Sequence, residues 1–262
     1  MTVELSLSGR RALVCGASAG IGRAVALALA AQGASVIALA RRADRLEALL
    51  PELEAAGAPT AEALVADLDD RDALRASVSA LVARGPVHVL INNTGGPPGG
   101  PLLQATEEAL LTALGRHLFA SHLLAQLLVP GMVDAGYGRI INVISTSVRE
   151  PIPNLGVSNT TRGAVASWAK TLSRELPPGV TINNVLPGFT DTERLDGLRA
   201  AVAARTGKTL DQAQAGWMVQ VPEGRLGRPE ELAAAVTFLA SPAGAFIRGV
   251  SLPVDGGRLR SI

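Results

Sequence analysis

Short apolar runs alternate with longer helical patterns along nearly the whole chain, and this alternation constrains the fold more than any other feature. Most runs are continuously apolar, which is typical of parallel strands that are covered on both faces. Parallel strands need crossover connections, so the pattern predicts a doubly wound, Rossmann-type α/β fold with a seven-stranded parallel sheet. The predicted strands cover residues 12–15, 35–39, 63–66, 87–91, 139–144, 180–185 and 250–254, and the predicted helices cover 20–32, 43–56, 70–84, 105–134, 158–176 and 229–240.

No internal repeat or linker-like tract divides the chain, so we interpret residues 1–262 as a single domain. The stretch 190–228 breaks the rhythm, because it is polar and only partly helical in pattern. Long connections in compact domains are uncommon and often functional. We therefore expect a lid over a substrate cleft here, with an ordinary surface insertion as the alternative.

The balance of charge excludes some classes of partner. Lys and Arg number 24 and Asp and Glu number 23, which gives no electrostatic reason to expect nucleic acid or an anionic membrane as a partner.

No apolar run approaches the roughly 20 residues of a membrane span, and the first residues lack a signal-peptide pattern. The one cysteine, Cys15, is expected to be a buried strand residue and suits a reducing compartment, so we expect a cytoplasmic protein. No metal site is expected.

Three glycines follow the first predicted strand and open the first predicted helix. They are Gly16, Gly20 and Gly22, within the sequence CGASAGIG at residues 15–22. The first glycine permits a tight strand-to-helix turn, and the others let the backbone approach a pyrophosphate and let the helix pack on the sheet. The helix N-terminus then offers free N–H groups to the phosphates. This context predicts a dinucleotide site.

Several further motifs follow in order, and with the glycine segment they resemble the short-chain dehydrogenase/reductase family over almost the whole chain. They are DL at 67–68, NNTG at 92–95, GRIINVIS at 138–145, PGFTDT at 187–192 and a C-terminal stretch from RPEELAAAVTFLAS to GVSLPVDGG. The resemblance implies a nicotinamide dinucleotide cofactor. The residues that it implies for cofactor binding are Gly16, Ser18, Ala19, Gly20, Ile21, Gly22, Asp67, Leu68, Asn93, Thr94, Gly95, Arg162, Pro187, Gly188, Thr190 and Thr192.

The end of the second predicted strand indicates which cofactor is preferred. Relatives that prefer NAD place an acidic residue there to hold the ribose 2′-hydroxyl, whereas this chain has Ala40 followed by Arg41 and Arg42. A guanidinium suits a 2′-phosphate through charge-assisted hydrogen bonds. We therefore expect NADP(H) in preference to NAD(H). The alternative is that the arginines only cap a solvated helix.

The resemblance places the catalytic positions, and here the chain departs from the family. Ser145 occupies the family's serine position, but the tyrosine has become Ser158 and the lysine has become Arg162. The only tyrosine, Tyr137, precedes Ser145, and the two lysines, at 170 and 208, have the wrong offset. An arginine can donate to a cofactor ribose, but being always charged it cannot join a proton relay.

His117 stands at the family's helix asparagine, and its imidazole titrates near neutrality. We expect it to lie close enough to Ser145 or Ser158 to supply a proton, with a plain packing role as the alternative. The loop GGPPGGP at 95–101 follows the fourth predicted strand, where it would be either a stiff wall beside the nicotinamide or a rigid connector.

Two functions remain open. The first is an NADP(H)-dependent oxidoreductase with an altered proton donor, acting on a small or acyl-chain carbonyl or alcohol; the overall likeness is to 3-oxoacyl-(acyl carrier protein) reductase-type members. The second is a catalytically silent protein that binds a dinucleotide or another ligand. The resemblance also implies assembly through the long helices. Val165, Trp168, Ala169 and Leu172 share one helix face, which predicts a homotetramer, or failing that a dimer.

Overall fold

The computed structural model describes residues 3–261, and within them seven parallel strands form one sheet in the order β3-β2-β1-β4-β5-β6-β7. This confirms the predicted Rossmann-type sheet. The order reverses between β1 and β4, and in open α/β sheets ligands bind beyond the carboxyl ends of the strands at such a reversal. The strands are β1 (Arg11–Cys15), β2 (Ser35–Ala40), β3 (Ala61–Val65), β4 (Val89–Asn93), β5 (Gly138–Val143), β6 (Val180–Pro187) and β7 (Ser251–Val254).

Helices cover both faces of the sheet. Successive residues of β1 alternate between two apolar cores: Ala12 and Val14 pack in one core, and Leu13 and Cys15 pack in the other. Cys15 is buried as predicted, and burial raises the pKa of its thiol to about 12, so it is an unreactive core residue. The helices are α1 (Gly20–Ala31), α2 (Ala43–Ala56), α3 (Arg71–Val82), α4 (Glu107–Leu114), α5 (Ala120–Asp134), α6 (Gly156–Glu175), α7 (Glu193–Thr206), α8 (Leu210–Met218) and α9 (Pro229–Ala240).

The helix predicted over residues 105–134 is interrupted. A π-helical turn at Gly115–Phe119 separates α4 from α5, and His117 lies within it. The apolar pattern continues through both helices, so the periodicity alone gives no sign of the extra residue that a π turn accommodates. Helix α6 also begins two residues earlier than predicted. A Cβ at its first residue, Gly156, would lie 2.6 Å from the Leu102 Cα, so glycine is what allows this close backbone approach.

A row of buried side-chain hydrogen bonds crosses the second half of the sheet. Asn92 of β4 donates to Asn142 of β5 at 2.8 Å, Asn142 donates to Asn184 of β6 at 2.8 Å, and Asn184 donates to Ser251 Oγ of β7 at 3.1 Å. These four residues, the asparagine row, are direct partners in the strand register. The three asparagines are at most 5% exposed. Each asparagine therefore donates a hydrogen bond to the side-chain oxygen of the next residue in the row, where the side chains have little access to water.

The stretch between β6 and α9 is ordered by its own caps. Thr192 caps α7 by accepting from the Leu195 N–H, and Thr209 forms a capping box with Gln212 at the start of α8. Phe189, two residues after β6, stacks on Trp217 of α8, with ring centroids 5.1 Å apart. The predicted lid segment is thus a pair of short helices fastened to the end of β6.

The predicted apolar face of α6 is only partly available to a partner. Val165 and Ala169 are buried within the chain itself, at 2% and 1% exposure, because they pack against the sheet. Trp168 and Leu172 remain half-buried. The expectation that all four residues offer surplus apolar surface is therefore wrong for Val165 and Ala169.

Candidate active site

The turn between β1 and α1 is built by close backbone contact. Gly16 adopts φ +64°, and a Cβ on Gly22 would lie 2.1 Å from the Gly16 carbonyl oxygen. No L side chain fits either position without a shift of the main chain. Ala19 precedes the helix without a side-chain cap, so the first amides of α1 are left free for a ligand.

Asn93 at the end of β4 supports this turn. Its Nδ2 donates to the carbonyl oxygens of Cys15 at 3.3 Å and Gly16 at 3.5 Å. The side chain that the motif assigned to the cofactor site therefore also ties β4 to the glycine turn. A cofactor that contacts this turn would be held by two strands at once.

The arginines that follow β2 lie beside the glycine segment. Arg42 Nη2 donates to Ser18 Oγ at 3.1 Å, and Arg41 pairs with Asp67 at 3.7 Å. Arg42 is the residue that precedes α2, yet its side chain makes no capping hydrogen bond and turns toward the glycine segment instead. This geometry disfavours the helix-cap alternative for Arg42.

A cavity of about 580 Å³ runs along the carboxyl ends of the strands. Every residue predicted for cofactor binding lines it except Gly22, which lies beneath the turn as the tight packing requires. Ser145, Ser158 and Arg162 line it as well, so the sequence motifs do converge on one site. Sequence reasoning missed a group from the start of α7, and the lining residues there are Glu193, Arg194, Leu195 and Leu198. Because these residues come directly after Thr192, which was predicted to bind the cofactor, their place in the sequence could have indicated that they line the site.

Ser145 and Ser158 form the hydroxyl side of the cavity. Ser145 Oγ accepts from the Ser147 N–H at 3.0 Å, and this bond fixes the oxygen and leaves its proton free to point at a ligand. Ser158 lies in the first turn of α6 and also faces the cavity. Neither hydroxyl has an acidic or imidazole partner among residues 3–261.

Arg162 is a buried cation at the same end. It is 8% exposed, and its Nη1 donates to the Val143 carbonyl oxygen at 2.9 Å while its Nη2 donates to the Thr94 carbonyl oxygen at 3.4 Å. The side chain thus bridges the ends of β4 and β5. Burial, assisted by the nearby charge of Arg194, lowers the pKa of Arg162 to about 10, so the guanidinium stays protonated at neutral pH.

His117 does not have the environment that its sequence position suggested. It is 3% exposed, its Nδ1 shares a hydrogen bond with Thr94 Oγ1, and its Nε2 is buried with no partner among the described residues. It is also absent from the cavity lining. Desolvation, together with the charges of Arg162, Arg116 and Arg194, lowers the pKa of His117 to about 2. The expectation of a proton donor that titrates near neutrality is therefore corrected, because the imidazole stays neutral behind Thr94.

The tyrosine and the lysines elsewhere in the chain do not replace the family pair in the cavity. Tyr137 donates to the Ala240 carbonyl oxygen at 2.6 Å, and its ring lies between Arg10 and Arg139. Lys170 donates to the Gly249 carbonyl oxygen at 3.2 Å. Neither these two residues nor Lys208 lines the cavity.

The loop after β4 forms one wall of the site. Gly95 and Gly96 line the cavity, and the Pro97 carbonyl oxygen accepts from Arg194 at 2.8 Å. Gly100 makes a parallel bridge to Leu155 just before α6. The loop is therefore both a wall and a connector, which joins the start of α7 to the start of α6.

Comparison with known proteins identifies the class. The model of the family described as enoyl-(acyl carrier protein) reductase matches residues 16–258. Gluconate 5-dehydrogenase of Gluconobacter oxydans is 34% identical over 96% of this chain and 95% of its own length. The 3-oxoacyl-(acyl carrier protein) reductase of Escherichia coli K12 is also 34% identical, over 97% and 98% of the two chains. The chain belongs to the short-chain dehydrogenase/reductase family.

Solved structures agree over the full length. The NADPH and L-sorbose complex of L-sorbose reductase from Gluconobacter frateurii superposes with a TM-score of 0.92 at 27% identity, covering 99% of this chain and 100% of the other. An NADP-bound protein from Beutenbergia cavernae, described as a gluconate 5-dehydrogenase, gives 0.90 at 32% identity, with 98% and 100% covered. Among residues 3–261, no helix is long and apolar enough to cross a membrane, and no group of metal-ligating side chains is present.

Proposed function

We propose that this protein is an NADP(H)-dependent oxidoreductase that interconverts a carbonyl and an alcohol without the family's tyrosine and lysine. The observation that carries the proposal is the convergence, on one cavity, of the glycine turn, the Arg42–Ser18 pair, Ser145 and Arg162. Relatives named as dehydrogenases and reductases, and neighbours solved with NADP or NADPH, support it. A small or acyl-chain substrate and a cytoplasmic location belong to the same proposal.

The residues present fit the cofactor. The free amides of α1 would hold the pyrophosphate, Ser18 and Arg42 would hold a 2′-phosphate, and Asn93 fixes the turn between them. When bound, the cofactor supplies or accepts the hydride. The uncapped helix end leaves these amides without a side-chain partner from the N-cap residue.

At the nicotinamide end the chain contributes hydrogen bonds and charge. The Ser145 hydroxyl donates to the substrate oxygen, and Ser158 offers a second hydroxyl in the same cavity. The fixed charge of Arg162 stabilises negative charge that develops on that oxygen. Arginine does not release a proton at neutral pH, so the proton reaches the oxygen through a hydroxyl or a water molecule.

The preference for the phosphorylated cofactor is directly testable. We expect NADPH to bind at least about tenfold more tightly than NADH, because one strong charge-assisted contact is worth roughly 1.5–3 kcal/mol. Replacing Arg41 and Arg42 with alanine should remove the preference, and Arg42→Ala alone should remove most of it. Titration of cofactor fluorescence measures both affinities. Arg23→Ala, an arginine of α1 paired with Glu52 outside the cavity, is the control and should leave the ratio unchanged. Equal affinities in the unmodified protein contradict the assignment.

Turnover tests the reaction itself. Purified protein with NADPH should reduce at least one member of a panel of ketones, aldehydes and 3-oxoacyl thioesters, followed as loss of absorbance by the reduced cofactor. One observation favours the second candidate, a silent dinucleotide-binding protein: among the described residues, no tyrosine, lysine or histidine lines the cavity. Tight binding of NADPH with no turnover in either direction would support that candidate.

We also propose a homotetramer, with a dimer as the fallback. Leu111 of α4 and Phe119 of the π turn are 54% and 46% exposed, and α6 beside them keeps Trp168 and Leu172 partly open. Sedimentation velocity at micromolar concentration should show a particle larger than the monomer. Phe119→Glu should dissociate it, whereas Val219→Glu, at a residue 89% exposed after α8, should not. A monomer at this concentration would contradict the proposal.

A further inference from the structure

Two arginines meet at the inner end of the cavity. Arg162 enters from α6, and Arg194 enters from the first turn of α7 and donates through Nη2 to the Pro97 carbonyl oxygen at 2.8 Å. A Cβ on Gly96 would lie 3.2 Å from Arg194 Nη2 and 3.7 Å from Arg162 Nη2. The two guanidinium groups, the inner arginine pair, therefore flank the same small space beside a residue that has no side chain.

The charge of the inner arginine pair is not neutralised by the protein. Two carboxylates line the cavity, and each is engaged by another arginine: Asp67 pairs with Arg41 at 3.7 Å, and Glu193 pairs with Arg45 at 3.0 Å. Within residues 3–261, neither Arg162 nor Arg194 forms a salt bridge. Arg162 is more than nine-tenths buried, and its Nε has no hydrogen-bond partner there.

A buried cation without a counter-ion is unfavourable unless a ligand supplies the negative charge. The dinucleotide does not supply it at this end, because its phosphates belong at the α1 N-terminus and at Arg42, while the nicotinamide and its ribose carry no negative charge. The counter-charge must therefore come with the second ligand. Both guanidinium groups remain charged at neutral pH, since burial lowers the pKa of Arg162 only to about 10.

We infer that the substrate of this enzyme carries a carboxylate, which is held by Arg162 and Arg194 while its carbonyl or hydroxyl carbon lies beside Ser145. This inference rests on the proposed function and narrows it to oxo acids or hydroxy acids. Guanidinium groups bind carboxylates through parallel, charge-assisted hydrogen bonds, which fix orientation as well as affinity. The inner arginine pair is therefore the specificity element of the site.

The test compares acids with their own neutral esters. Pyruvate, 3-oxobutanoate and 4-oxopentanoate, each beside its methyl ester, are titrated by calorimetry into the protein saturated with NADP⁺, which cannot reduce them. At least one acid should bind about tenfold or more tightly than its ester, as expected for one bidentate charged contact. Arg194→Gln should abolish this difference and leave the affinity for NADPH within about twofold.

The matched control is Arg199→Gln. Arg199 lies on the same helix, bonds to Gln214 and Asp196, and does not line the cavity, so both affinities should stay unchanged. Arg194 is exposed and donates one bond to a loop carbonyl, so we expect Arg194→Gln to fold; Arg162→Gln removes two bonds to strand ends and serves only as a second variant.

Two results would overturn the inference. The first is that every acid binds as tightly as its ester. The second is that the Arg194→Gln variant loses affinity for NADPH as strongly as affinity for the acid, which would assign Arg194 to the pyrophosphate of the cofactor. Binding is measured without turnover, so the proposed function fails separately. If acids bind but are never reduced, the proposed reaction is refuted and the carboxylate site is retained. If ketones are reduced with no preference for acids, the reaction is retained and the carboxylate site is refuted.

Discussion

Replacing Gly22 with alanine should destabilise the protein by about 3 kcal/mol, at the upper end of the cost of overpacking, and should abolish cofactor binding. The added methyl group would meet the Gly16 carbonyl oxygen at 2.1 Å and Asn93 Nδ2 at 2.6 Å. The carbonyl oxygen belongs to the main chain of the turn, so relief requires α1 to move away from β1. Urea unfolding and titration of NADPH measure the two effects.

Gly163→Ala is the matched control for that experiment. Gly163 also lies within a helix, α6, but a Cβ there would meet nothing within 4 Å. Alanine is favoured over glycine in a helix interior by about 1 kcal/mol, so this variant should be stabilised. The same chemical change should thus have opposite signs at the two positions. Comparable destabilisation of both would mean that backbone packing at the turn is not the cause.

Replacing Ser145 with alanine should lower turnover by about 10²–10³-fold, which is typical for the loss of one hydrogen-bond donor to a developing oxyanion. Ser145 Oγ is positioned by the Ser147 N–H, so its own proton is directed into the cavity. Steady-state kinetics on the best substrate measure the loss. The affinity for NADPH, titrated separately, should not change, because the hydroxyl acts on the substrate oxygen.

Ser147→Ala distinguishes a role in the reaction from a role in the fold. Ser147 is two residues away and 4% exposed, and its hydroxyl has no hydrogen-bond partner among the described residues. Its removal should leave turnover unchanged and should not reduce stability. If Ser145→Ala retained normal turnover, the serine would be only the cap of the following helical turn, and the altered active site would have to work without it.

The sheet and the cofactor residues could be predicted from the sequence because each is encoded locally. The seven apolar runs coincide with the seven strands within a few residues, and the glycine segment lies between the strand and the helix that its spacing requires. The Pro-Gly segment likewise places Thr190 and Thr192 at the cavity. In each case neighbouring residues fix the backbone conformation that forms the site.

The features that the sequence did not reveal depend on contacts between distant segments. His117 was expected to titrate near neutrality, but its pKa is set by burial in a π turn and by the charges of its neighbour Arg116 and of Arg162 and Arg194, which are distant in sequence. Arg194 reaches Arg162 only because α7 folds back over the loop after β4. The asparagines of the three strands are visible in the sequence. Their hydrogen bonds could not be predicted from it, because they depend on the strand order and register.

The asparagine row has a consequence for motion at the site. Asn92 donates to Asn142, and Asn142 and Asn184 each accept from the side of β4 and donate toward β7, so the strands from β4 to β7 cannot separate one at a time without breaking side-chain and main-chain bonds together. This half of the sheet should therefore open only in global unfolding, as a single cooperative unit. Slow opening of the cleft on this side is then expected from α7 and α8, which lie in the 190–228 stretch outside the sheet.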